Sequence, residues 1–131
     1  MKTPLGSYDF RIEGNILFQT FIGMFSENSA RAYLKEAQQL IKKFDGNPFF
    51  IVIDIREMDG ATPEAYDMTE HYNQWVNTQH LVAKAIIVKN KVVGKIGSER
   101  MPTLKTQNLQ YFTDIDSALD WFEKNKNYKQ A

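Results

Sequence analysis

Seven consecutive residues, Phe49 to Ile55, are apolar at every position except Asp54. A β-strand sends successive side chains to opposite faces, so such a run needs cover on both sides. It fits the central strand of a layered α/β sheet rather than a surface strand. The run is expected to break at Asp59-Gly60. Thr62-Pro63-Glu64 then restarts the chain as a helix, with a hydroxyl cap, a proline at the first helical position and an acid in the first turn. Open α/β sheets place their sites at the carboxyl ends of their strands, which puts the first place to look between Met58 and Thr62.

The flanking segments agree with a layered sheet. Tyr8, Phe10 and Ile12 alternate with Asp9, Arg11 and Glu13, the pattern of a half-buried strand. Gly14-Asn15 suits a tight reversal, since both residues tolerate positive φ. Ile16 to Gly23 reads as the second hairpin strand, apolar on both faces and so inside the sheet. Ala30, Tyr33, Leu34, Ala37, Leu40, Ile41 and Phe44 form one stripe of a helix, capped by Ser26, Asn28 or Ser29 and ended at Gly46. The second helix runs from Thr62 to about Gln79 with a ragged stripe that includes Tyr66, Tyr72 and Trp75. Leu81–Val88 is a further covered strand, Val92–Ile96 a short weak helix closed by Pro102, and Leu109–Thr113 a last strand. A final helix follows, capped at Asp116 or Ser117, with Ala118, Leu119, Trp121 and Phe122 on its apolar side. The order β-β-α-β-α-β-α-β-α implies an α/β fold, a mixed, mostly parallel five-stranded sheet with helices over it. Residues 1–131 read as one domain, with 1–6 and 124–131 loose.

Composition removes several functions. There is no cysteine, hence no disulfide, thiol nucleophile or thiolate metal site, and a reducing compartment fits. The formal net charge is zero, which argues against a nucleic-acid partner. No secretory signal or membrane-spanning run is visible, so a cytoplasmic location is expected. Charge is uneven, with five acids and no Lys or Arg from Glu57 to Ala83, then six bases and one acid from Lys84 to Lys105. Two solvated faces explain this most simply; a steering surface for a charged partner is the functional version.

Organisation and a few motifs together resemble the STAS domain group, the fold of anti-sigma-factor antagonists, in a diverged bacterial form. The resemblance rests on the opening hairpin through Gly14-Asn15 and on the Ile51–Ile55 strand running into Met58-Asp59-Gly60. It rests also on the ending Phe112-Thr113-Asp114-Ile115-Asp116-Ser117-Ala118-Leu119-Asp120-Trp121-Phe122. It implies the fold, a non-catalytic regulatory role and a protein partner. It also implies a phosphorylatable serine after an aspartate at the start of the second helix. Asp59 matches the aspartate, but Gly60 and Ala61 follow it. Thr62, the nearest hydroxyl and the one candidate phosphorylation site, reads first as a helix cap.

Catalytic constellations are thin. Glu64, Asp67 and His71 share a helix face, as a metal site or acid–base pair would, but fall short of the ligand density of a zinc site. His80 suits helix-terminal carbonyls. Asp54 needs a partner if buried, Arg56 or a lysine being at hand. Gly94–Ser98 has the wrong spacing for a phosphate loop. No cofactor and no metal is therefore expected. The leading reading is a cytosolic module that binds a protein through Met24, Phe25, Met58, Asp59, Gly60 and Thr62, although the apolar members of that set serve a core equally well. The alternative is a small-molecule or lipid carrier with a pocket between the sheet and the second helix, lined by Tyr66, Tyr72 and Trp75. A small enzyme built on Asp54 and Glu64–His71 comes last, and an open edge strand would allow a homodimer.

Overall fold

The computed structural model describes residues 6–90 and 99–126. Five strands form one sheet in the order β1-β2-β3-β4-β5: Ser7–Glu13, Ile16–Phe25, Phe49–Ala61, Leu81–Ile87 and Leu109–Phe112. β1 is antiparallel to β2 and every later pair is parallel. The hairpin closes over two residues, pairing Glu13 with Ile16. Gly14 alone takes the positive φ, +61°, as the first central position of a type II′ turn requires.

Among the described residues three α-helices cover the sheet. α1 (Glu27–Lys42) and α2 (Pro63–Val76) lie on one face, and α3 (Ile115–Asn125) lies on the other. Ser26 caps α1 by accepting from the Ser29 amide. Thr62 caps α2 by accepting from the Ala65 amide at 3.2 Å. α3 is capped by Asp114 instead of Asp116 or Ser117, its carboxylate accepting from the Ser117 amide at 2.8 Å. A short 3-10 turn, Pro102–Thr106, joins β4 to β5 and packs on α2. The weak helix expected at Val92–Ile96 and the Gly94–Ser98 stretch lie outside the described residues.

Both faces of β3 are buried. Phe49 and Ile51 enter the core under α1 and α2, while Phe50 and Val52 enter the core under α3. The break expected at Asp59-Gly60 does not occur, and the strand runs on to Ala61. Two register shifts explain the difference: Thr20 pairs with Asp54 but Ile22 with Glu57, and Gly23 pairs with Met58 but Met24 with Gly60. Each is a bulge in which β3 carries one residue more than β2. Its side chains on the α1/α2 face therefore step 49, 51, 53, 55, then 58, then 61. Gly60 sits in the second bulge at φ +149°, where a side chain would be strained.

Of the two segments expected to be loose, Gly6 and residues 124–126 are described. Gly6 abuts β2 so closely that an added side-chain carbon would lie 2.6 Å from the Met24 carbonyl oxygen. α3 reaches Asn125, whose side chain donates to the Trp121 carbonyl.

Met24 and Phe25, paired in the sequence reading, part company here. Phe25 is fully buried in an aromatic cluster, 5.3 Å from Phe21 and 5.4 Å from Tyr33 between ring centroids. It is a core residue and is not available to a partner, because the side chain before it takes the outward direction of the pleat. Met24 remains 43% exposed. Phe25→Ala is accordingly expected to cost about 3–5 kcal/mol in urea denaturation. Met24→Ala should stay within about 1 kcal/mol of the wild type.

Candidate functional site

Between α2 and the sheet lies a cavity of about 450 Å³. Its sheet wall follows from strand register. On the α1/α2 face the side chains of Gln19, Ile53, Ile86 and Tyr111 form one row across β2 to β5. Leu17, Ile51, Lys84 and Leu109 form the row before it. The first row lines the cavity. The helical wall is Tyr66, Thr69, Tyr72 and Asn73 of α2, with Tyr33 and Leu34 of α1. Met101 and Leu104 close the side toward the 3-10 turn.

The bulged end of β3 forms the rim. Met58, Asp59, Gly60 and Ala61 all line the cavity, together with Arg56, Lys89 and Arg100. Asp59, Lys89 and Arg100 are exposed, which places them at the mouth. The Arg100 guanidinium stands 6.0 Å from the Tyr66 ring centroid, in cation–π range. Arg56 is already engaged with Asp54 through bonds of 3.0 and 2.8 Å. Partial burial works to raise the Asp54 carboxyl, but the bonds from the Arg56 side chain and amide outweigh it and hold it below its usual value. Asp54 is thus an ion-paired structural residue.

The sequence-nominated residues distribute unevenly. Met58, Asp59 and Gly60, nominated for a partner, and Tyr66 and Tyr72, nominated for a pocket, line the same cavity. Trp75 does not. Its ring stands 6.3 Å from the Tyr72 ring and packs on the core beside the cavity. Thr62 sits at the head of α2 and spends its hydroxyl oxygen on the cap. Asp54, Glu64 and His71 are absent from the lining. His71 turns its Nδ1 to the Asp67 carbonyl at 2.9 Å. Among the described residues no group of three His, Asp or Glu side chains is placed to hold a metal. His80 lies 3.2 Å from the Gly46 carbonyl, past the end of α1.

Sequence reasoning passed over three residues at the floor: Gln19 and Asn73, which line it, and Lys84, which stands behind Asn73. Gln19, Asn73 and Lys84 are the buried polar residues among the described ones, at 3%, 2% and 1% exposure. Gln19 Nε2 lies 3.5 Å from the Tyr72 hydroxyl. Lys84 Nζ donates to Asn73 Oδ1 at 2.9 Å. The one local trace in the sequence is a polar residue interrupting a covered strand, at Gln19 in Ile16–Gly23 and at Lys84 in Leu81–Val88, too weak alone to nominate either. Burial pushes the Lys84 ammonium down to about 7, with no carboxylate beside it to offset the desolvation.

That shift sets a pH dependence of stability. Between about 7 and 10.5 the unfolded chain holds a proton on Lys84 that the folded chain has released. Stability should therefore rise with pH across that window, by on the order of 4 kcal/mol from this group, and be flat with respect to it below. Lys84→Met should be more stable than wild type near neutral pH, with the gain shrinking toward pH 10.5. Urea denaturation across that range measures both.

Residues 16–123 match the SpoIIAA-like family. Among solved structures the chain is similar to an uncharacterized protein from the DUF3478 family with a SpoIIAA-like fold, from Shewanella loihica PV-4. The two share 16% identity over 92% of this chain and 98% of that one, with a TM-score of 0.70. No protein of curated function matches the sequence. With the family match spanning most of its length and the mixed five-stranded sheet beneath it, this chain belongs to the SpoIIAA-like family and is a STAS-like domain.

Proposed function

We propose that the chain is a STAS-type regulatory module that holds a small amphipathic molecule in the cavity under α2. The cavity carries this reading. Its volume of about 450 Å³ falls in the range of ligand sites, roughly 300–1,000 Å³. Its walls are mostly aliphatic and aromatic, its buried polar side chains Gln19 and Asn73 lie at the floor, and its mouth bears Lys89 and Arg100 beside Asp59. That composition suits a ligand with an apolar body and a polar or anionic end. The opposite face of the sheet is sealed instead, with Phe122 of α3 seated 4.6 Å from Phe50 between ring centroids.

A second reading is favoured by one observation. Ile22 and Met24 are 48% and 43% exposed at the end of β2, and the Met24 sulfur lies 3.4 Å from where a Gly60 side chain would begin. Apolar surface beside the charged rim suits a protein partner. Because Met58, Asp59 and Gly60 belong to both cavity and rim, ligand occupancy and partner binding would act on the same backbone.

Ile53→Trp tests the first reading by filling the cavity from the sheet wall. An amphipathic fluorescent dye with an anionic end, anilinonaphthalene sulfonate, should bind wild type saturably at one site. The variant should lose at least about tenfold in affinity while its melting temperature is unchanged or higher, since an apolar void has been filled. Equal dye binding by a folded Ile53→Trp protein would remove the cavity as the site.

A further inference from the structure

The floor of the cavity has a defined polarity. Lys84 Nζ donates to Asn73 Oδ1 at 2.9 Å, which sets the two ends of that amide. The oxygen turns toward Lys84 and the NH₂ is directed away from it. Asn73 lines the cavity, and among the described residues its NH₂ makes no hydrogen bond. A buried lysine on the central face of a sheet, with one amide oxygen for company, is costly to keep. It orients a pair of N–H donors toward the space a ligand would fill.

Building on the ligand-binding reading above, we infer that the Asn73–Lys84 pair selects a carboxylate: the Asn73 NH₂ hydrogen-bonds the ligand's inner carboxylate oxygen, and the Lys84 ammonium behind it supplies the balancing charge. In so dry a setting an anion at the Asn73 amide interacts strongly with a charge on Lys84. The lysine, pushed down to about 7 by burial, regains a proton from solvent as the anion enters. No bond is made or broken apart from that proton transfer.

The surroundings leave Lys84 as the group that responds. In register beside it stand Ile51 of β3 and Leu109 of β5. From α2 the buried titratable neighbour is Tyr72, whose hydroxyl burial keeps protonated. Glu70 accepts from Thr103 and Gln74, while Glu64, Asp67 and His71 are exposed. Lys105 of the 3-10 turn is exposed as well. Arg56, Asp59, Lys89 and Arg100 belong to the rim.

Decanoate and decanol, equal in chain length and different in charge, separate the possibilities by isothermal titration calorimetry at about pH 6 and about pH 9. Wild type should bind decanol equally at both. It should bind decanoate at least about tenfold more tightly at the lower pH. Near pH 8, decanoate enthalpies in buffers of different ionisation heat should reveal net proton uptake. Lys84→Met should keep decanol binding and lose the pH dependence for decanoate, while Arg100→Gln keeps it. The buffer comparison on wild type stands whether or not the lysine variant folds. Decanol binding with no pH-dependent preference for decanoate and no proton uptake would overturn the carboxylate assignment and leave the cavity as a ligand site. A pH dependence that survives in Lys84→Met would assign it to another group and overturn the assignment too. Binding of neither probe would overturn both readings.

Discussion

α2 meets the sheet through two buried polar contacts as well as through apolar packing. Lys84 reaches Asn73 at 2.9 Å and Gln19 approaches the Tyr72 hydroxyl at 3.5 Å. Hydrogen bonds require set distances and directions where apolar contacts do not. They hold the helix at a height and rotation that its neighbours must accommodate. At its other end α2 is fixed by the Thr62 cap and by the Tyr33–Thr69 hydroxyl pair at 2.9 Å. Ala65 and Val76 are buried near the two ends. Between these anchors the helix bridges open space, and the cavity is that space. α3 shows the contrast: Ala118 and Phe122 lie flat on Phe50, Val52 and Ala85, and the packing closes.

The second requirement is a rim, and β3 supplies it by carrying extra residues. A regular strand would have sent Met58 to the α3 face along with Asp54 and Arg56. The two bulges reset the alternation so that Met58 and Ala61 return to the α1/α2 face. One consequence is that charged Asp59 and flexible Gly60 stand at the lip of an apolar cavity. Another is that β3 extends along β2 as far as Phe25, whose carbonyl accepts from the Thr62 amide at 2.9 Å and so sets where α2 begins. Strand length, rim and helix start are thus a single geometric decision.

Most of the fold was legible because it rests on periodicity. The apolar run from Phe49, the stripe through Tyr33, Leu34, Ala37 and Ile41, and the Thr62-Pro63 start each carry a local physical reason. The bulges were not legible, since Asp59-Gly60 has the same composition in a turn and in a bulge. The α3 cap was misplaced because Asp114, Asp116 and Ser117 all suit the role, and only the strand's exit direction selects among them. The site was half legible. Tyr66, Tyr72, Met58 and Asp59 could be nominated by position at a strand end or on a helix stripe. Gln19, Asn73 and Lys84 could not, because their importance comes from meeting one another across β2, α2 and β4, and a single polar residue in an apolar strand reads locally as noise. Asp54 looked like the anomaly of greater consequence, yet its partner was two residues away and on its own strand.

The polar floor also bears on why such an arrangement persists. A methionine at position 84 would fill the same volume without the desolvation penalty that lysine carries, and the fold would not need the Asn73 contact. The aromatic cluster of Phe10, Phe21, Phe25 and Tyr33 under α1 makes the cost tolerable, each ring pair adding to plain area burial. Tolerable cost is not purpose, but it has a thermodynamic consequence. Whatever satisfies the floor binds the folded chain and not the unfolded one, so it stabilises the fold in proportion to its occupancy. On the proposed reading, the ligand repairs the least favourable burial in the molecule and does so directly beneath α2. The helix and the rim are then the elements whose stability changes most when the cavity fills. A regulatory module built this way needs no path through the protein, because the site and the surface that would report on it share the same helix and the same strand end.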